Sequence, residues 1–364
     1  MQKLTFIFVA GLIPVLGLSQ RIEVAPVPPD PLELVTDGAK AFTTFEQREP
    51  LIAVVNRAAS YYSLHAKSNP AYILDTSFHA TASTLFAGGE GHLRETWISG
   101  GNWRLDASLA TYSLVRISSN GVAYDQQAPS PIPMRLKMLY NAIYAPIEPK
   151  RVESNEQKLR FASVTWKGRA EGCVLMSPRI TQTGRTGARA WNEVEYCIDP
   201  ATGLLDIYSE APGIYVAYNY GKALRFHGKV LPGRVTITEN GATVLDAQLN
   251  SIVETGASDA GALTPTAQMM AQGPAPVLLA PVRPWVWVWS SEVRASSTIE
   301  PTIVHAILDD QGNVQESEVL QGWSSAAKAL AHIAKKNPFE ALKPDGGRPR
   351  EREAFLEVQF RPEL

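Results

Sequence analysis

The sequence predicts an α+β protein: a meander of antiparallel strands with two helices, then a smaller strand–strand–helix–strand unit. Three observations carry this. Between residues 72 and 253 short segments alternate in polarity and are punctuated by Gly, Asn or Asp turns, with no βαβ rhythm. Two stretches, after Pro50 and after Pro133, instead repeat apolar residues at three and four positions. A segment rich in Ala, Gly and Pro, residues 255–284, then separates the meander from a last unit at 285–364.

Composition bounds the function. The chain has 364 residues, 45% of them hydrophobic, enough for two domains with real cores. With 34 basic and 36 acidic residues, the formal charge of −2 gives no long-range attraction to nucleic acid. The first nineteen residues read as a secretory signal peptide: Lys3, an apolar run from Leu4 to Leu18, and small residues Gly17 and Ser19 before the cut. The run is short for a membrane span and holds Pro14. Export to the periplasm or beyond is therefore expected, the alternative being an uncleaved inner-membrane anchor. Gln20 stands where a lipoprotein would need Cys. Residues 20–45 form a Pro-rich N-terminal segment, in which Val24–Leu32 is expected to be extended or disordered.

Ordered structure is expected from about Glu46. Pro50 suits a helix's first turn, and Leu51, Val54, Val55, Ala58 and Tyr62 share a face that ends before Asn69-Pro70. Strands follow at 72–83, 92–99 and 102–108. A turn centred on Gly100-Gly101 sets Ile98 opposite Trp103, Thr96 opposite Leu105 and Trp97 opposite Arg104. Ile98, Trp103 and Leu105 would then face inward, as plain core or as the wall of a lipid-sized cavity. Trp97, Arg104, Glu95 and Asp106 would form a polar outer surface. Leu114–Asp125 reads as a hairpin turning at Ser119-Asn120-Gly121. The second helix spans Pro133–Pro146, with Leu136, Leu139, Tyr140 and Ile143 on one face.

Strands resume from about Leu159 to Val253, among them Ile214–Tyr220, Arg225–Pro232, and a pair turning at Asn240-Gly241. Cys173 and Cys197 lie equidistant from Arg185, in a turn-rich segment. A hairpin centred there sets them opposite each other, close enough for a disulfide. An oxidising compartment would form that bond; otherwise both are buried thiols. Within 285–364, Trp285, Trp287 and Trp289 occupy one strand face, either against a core or as an exposed partner patch. Strands at 302–309 and 314–320, a helix from Ser324 to Asn337 and a strand at 354–360 complete the chain.

Two resemblances follow from these segments. Gly91–Ser108, Ile117–Asp125, Cys197–Tyr208 and Phe226–Ile237 resemble the LolA/LolB group of lipoprotein carriers and related outer-membrane lipoprotein-sorting proteins, over residues 46–254. That resemblance implies an incomplete, bent antiparallel β half-barrel lidded by helices around an apolar cavity. Leu136, Leu139 and Ile143 join Ile98, Trp103 and Leu105 as its candidate lining. The implied ligand is a lipid or an acylated protein. Val304–Gly322, Ala326–Phe339 and Pro344–Phe360 resemble the TonB C-terminal domain, implying a module that binds envelope proteins. The family's Tyr-Pro before the first strand is replaced here by Ser297–Pro301.

No catalytic motif accompanies this. The six histidines (65, 79, 92, 227, 305, 332) are scattered, with no His-Glu-x-x-His and no Gly-x-Ser-x-Gly. The Gly88–Gly91 run precedes a strand, so it is a turn and not a phosphate cradle. No metal or cofactor is expected. The expected function is non-enzymatic: binding of an apolar ligand, or an envelope adaptor with no small-molecule ligand.

Overall fold

The computed structural model describes residues 40–42, 45–82, 88–126, 132–147, 157–166, 169–178, 193–239, 241–256, 263–282, 285–290, 302–308, 312–321 and 350–362. The leader, most of the Pro-rich segment and the Ser324–Asn337 helix fall outside these residues. The chain begins with β1 (Lys40–Phe42), α1 (Phe45–Tyr62), β2 (Tyr72–Ala80), β3 (Gly89–Ser99), β4 (Asn102–Leu109), β5 (Tyr112–Ser119) and β6 (Val122–Asp125). Next come α2 (Met134–Tyr144), β7 (Gln157–Trp166), β8 (Arg169–Pro178), β9 (Val194–Ile198), β10 (Leu205–Ala211) and β11 (Ile214–Asn219). A short pair, β12 (Leu224–Phe226) and β13 (Lys229–Leu231), precedes β14 (Arg234–Glu239) and β15 (Ala242–Glu254). Then follow α3 (Ala267–Gln272), β16 (Val277–Val282), β17 (Trp285–Ser290), β18 (Thr302–Leu308), β19 (Val314–Gln321) and β20 (Arg350–Pro362).

Thirteen strands form one sheet in the order β1-β7-β8-β9-β10-β11-β14-β15-β2-β3-β4-β5-β6. Every pairing in it is antiparallel, and its end strands β1 and β6 do not pair with each other, so the sheet is open. Its two halves are joined by the long pairing of β15 with β2, Leu245 opposite Ala80 through Glu254 opposite Tyr72. Order begins earlier than Glu46, because β1 pairs with β7.

The hairpins turn where the Gly positions place them. Ser119 faces Val122, with Asn120 and Gly121 both at positive φ (52° and 81°), the backbone that a two-residue type I′ turn requires. Arg225–Pro232, expected as a single strand, instead folds back on itself. His227 and Gly228 take φ of 44° and 80°, and β12 and β13 form a ribbon apart from the main sheet. Helix α1 starts a turn earlier than expected, with Pro50 inside it. A proline this near the N-terminus removes little from the helix ladder.

Cys173 stands directly opposite Cys197 in the β8/β9 ladder, and the two are disulfide-bonded. They close a loop with a sequence separation of 24. Replacing both by Ser should lower stability by about 3 kcal/mol through the unfolded chain's regained entropy. The measurement is the urea midpoint of the oxidised parent against the double variant; equal midpoints would contradict it.

At the Gly100-Gly101 turn the structure corrects the sequence reading. Ser99 faces Asn102 as expected, but Ile98 is bulged out, so Trp97 pairs with Trp103, Thr96 with Arg104 and Glu95 with Leu105. Every side chain of β3 beyond the bulge therefore changes face. Trp97 (2% exposed) and Glu95 (0%) point inward. Arg104 pairs with Asp106 on the other face, 2.7 Å apart. The physical reason is area: a buried Trp outweighs one irregular step in a ladder.

Segment 255–284 carries α3 and β16. Thr266 caps α3 by accepting from the Met269 N–H, and Ala275 N–H donates to Ala123 O on β6. β16 and β17 then lie parallel to successive parts of β20, while β18 pairs antiparallel with both β20 and β19. One face of this second sheet gathers Val304, Ala306, Leu308, Ala354, Leu356 and Val358. Ile303, Ile307, Leu320 and Phe355 instead join the main apolar cluster. No described helix is long and apolar enough to cross a membrane.

Candidate functional site

Helices α1 and α2 lie on one face of the large sheet. Helix α1 buries Val55, Ala58 and Tyr62, and the Tyr62 hydroxyl donates to Leu205 O on β10. Helix α2 is buried on nearly all sides: only Tyr140 and Asn141 are partly exposed. Polar contacts tie it to the sheet at both ends and in the middle. Tyr218 on β11 donates its hydroxyl to Ala142 O at 3.0 Å. Arg135 Nη1 donates to Glu239 Oε2 at 2.9 Å, each side chain 2% exposed. Tyr140 donates its hydroxyl to Glu95 Oε1 at 3.1 Å.

Glu95 is the hub of this face. It also accepts from the Tyr72 hydroxyl at 2.5 Å, and His65 Nε2 lies 3.0 and 3.1 Å from its two oxygens. The donors come from three elements: the loop after α1, strand β2 and helix α2. Burial pushes the Tyr72, Tyr140 and Tyr144 hydroxyls well above the usual tyrosine range, and the Glu95 carboxylate pushes each further. They therefore stay protonated, and Tyr72 and Tyr140 stay donors to Glu95. Across the sheet, Glu95 heads a row that runs through Leu105 and Arg116 to Asp125. The last two form a buried bidentate pair at 2.6 and 2.9 Å.

Aromatic rings stack alongside. His65 lies against Tyr144 (centroids 5.3 Å, planes 5° apart) and Trp97 (6.1 Å, 23°). Trp97 in turn stacks on Tyr72 at 5.7 Å, and Phe226 meets Tyr72 edge-on at 5.8 Å.

Of the lining residues expected from sequence, Leu105, Leu136, Leu139 and Ile143 belong to one contiguous apolar cluster, and Trp103 packs against it. Ile98 sits in the bulge, partly exposed. For Trp285, Trp287 and Trp289 the backbone register against Glu357, Gln359 and Arg361 is described; their side chains lie outside the described residues. Glu95, His65, Tyr72 and Tyr140 were missed as a group. A signal for Glu95 was present: it shares strand parity with Leu93 and Trp97, both large hydrophobic residues and both buried. His65 and Tyr140 have no such local signal, since their approach depends on tertiary packing. Among the described residues, metal-ligating groups converge at Cys173, Glu195 and Cys197, where the two sulfurs are already bonded to each other.

Three solved structures are similar to this chain. One is a domain described as an outer membrane lipoprotein-sorting protein from Vibrio parahaemolyticus: 7% identity, TM-score 0.34, spanning 59% of this chain and 97% of that one. Another is a LolA superfamily protein from Nitrosomonas europaea: 7% identity, TM-score 0.34, 56% and 93%. A DUF1329 family protein from Desulfovibrio piger matches at 6% identity and TM-score 0.33, over 59% and 99%. No protein family model matches the chain, and no curated protein matches it.

Proposed function

We propose that the helix-covered face of the open sheet binds an apolar chain, a lipid or the acyl group of a lipoprotein, with α2 as its lid. The observation that carries this is the character of α2. Its apolar residues fill the face, while local side-chain capping adds little to the helix itself. Pro133 at the N-cap offers no side-chain hydrogen bond, the first turn has no acidic residue, and the last has no basic one. Such a helix is held by packing more than by itself. An acyl chain taking the place of Leu136, Leu139 and Ile143 would exchange one apolar contact for another, at small net cost in buried area.

In this reading the chain is an exported, non-enzymatic carrier of the cell envelope. The 285–364 unit engages envelope proteins, and the Trp285, Trp287 and Trp289 face is its candidate contact. Native mass spectrometry of the full chain recovered from its own envelope should reveal a bound acyl-chain mass. Protein that carries no lipid and takes up no fluorescent fatty-acid probe would overturn the carrier reading and leave the adaptor as the function.

A further inference from the structure

The ring column on the helix-covered face is interrupted by a single side chain that can carry charge. From α2 inward the order is Tyr144, His65, Trp97, Tyr72, with Glu95 alongside. The His65 ring lies against two aromatic rings and one carboxylate. Two aromatic faces flank it, and both oxygens of a carboxylate that is 0% exposed lie within 3.1 Å of its Nε2. Paired aromatic faces with a buried carboxylate are the surroundings that select an organic cation.

The occupant differs from the walls. Trp97, Tyr72 and Tyr144 are 2%, 0% and 4% exposed. His65 comes from a surface loop, and its side chain is 36% exposed, so the ring has a route out to water. A second observation points the same way. The Tyr144 hydroxyl is buried beside the slot and has no hydrogen-bond partner among the described residues.

We propose that this slot receives the cationic head, an ammonium or quaternary ammonium, of a lipid ligand, and that His65 is its resident stand-in. The inference rests on the carrier reading and deepens it. Tyr140, which donates to Glu95, shares a helix face with Leu136 and Ile143, so a chain leading away from the slot runs beneath α2. Swinging His65 outward leaves the Glu95 carboxylate to be neutralised by the incoming cation. A head with only negative charge would meet that carboxylate and be repelled.

The test uses the full chain loaded with a fluorescent fatty acid and displaced by lipids with identical acyl chains. Phosphatidylethanolamine and phosphatidylcholine should displace the probe at about tenfold lower concentration than phosphatidylglycerol, and Glu95→Gln should shrink that gap to about twofold. Phosphatidylglycerol displacing as well as the other two would overturn the inference while leaving the carrier reading intact. A second measurement needs no acyl chain. Tetramethylammonium, titrated against tryptophan fluorescence with Trp97→Phe as the reference, should bind His65→Ala about tenfold more tightly than the parent. No gain in His65→Ala overturns the slot, whatever the lipids do. Failure of all three lipids to displace, or of the probe to bind, overturns the carrier reading and the lipid-head assignment with it.

Discussion

Arg135→Met should lower the stability of the folded chain by about 3–5 kcal/mol, the cost of leaving a buried carboxylate without its guanidinium. Arg135 sits in the first turn of α2 and Glu239 at the end of β14, both 2% exposed, so water cannot take over the lost interaction. The exposed pair Arg234–Asp246 supplies the contrast. Its side chains are 59% and 35% exposed, and Arg234→Met should cost no more than about 1 kcal/mol. Removing both charges at the buried site, in Arg135→Met with Glu239→Leu, should recover most of the loss, because an apolar pair carries no desolvation penalty. Urea unfolding of the four proteins measures this. The lid reading adds a local expectation: in Arg135→Met, hydrogen exchange in 136–144 should speed up beyond the global change. A loss below about 1 kcal/mol would mean that the Arg135–Glu239 pair does not seat α2.

Much of the fold was legible because its signals are local. Asn120-Gly121 specifies its turn, and the equal spacing of Cys173 and Cys197 about Arg185 sets the two cysteines opposite each other. Helix α2 was legible from its period. What the sequence hid depends on distant parts of the chain. Nothing near Leu245 says that β15 will close against β2, some 165 residues earlier in the chain by the pairing of Leu245 with Ala80. His227-Gly228 looks like strand because a non-glycine at positive φ is uncommon, and its turn becomes evident only from the ribbon it makes. The bulge at Ile98 is the instructive failure. A two-residue turn and strict alternation are both sound rules, and here they conflict. The turn fixes Ser99 opposite Asn102, alternation along Leu93, Glu95 and Trp97 requires the other face, and one extra residue reconciles them. The candidate site was lost with that single step, since it turned Glu95 from an outer charge into the hub of the inner face.

Glu95→Leu tests that hub directly and should destabilise the chain by about 3–5 kcal/mol, since it strands the Tyr72 and Tyr140 hydroxyls at about 1–3 kcal/mol each before relaxation. The side chain is 0% exposed, and Tyr72, Tyr140 and His65 converge on it. Glu95→Gln keeps the shape and one acceptor oxygen, so about 1–2 kcal/mol is expected. Adding Tyr72→Phe and Tyr140→Phe to Glu95→Leu should restore part of the loss. Buried partners removed together cost less than one removed alone. The opposite register, with Glu95 on the solvent face, predicts a change within about 0.5 kcal/mol for Glu95→Leu and no rescue by the tyrosine changes. Chemical unfolding of the series therefore separates the two registers by several kcal/mol. Because Tyr140 belongs to α2 and His65 to the loop after α1, the same loss should appear as faster exchange in both places. Exchange confined to one of them would show that Glu95 secures a single lid element and does not couple the two.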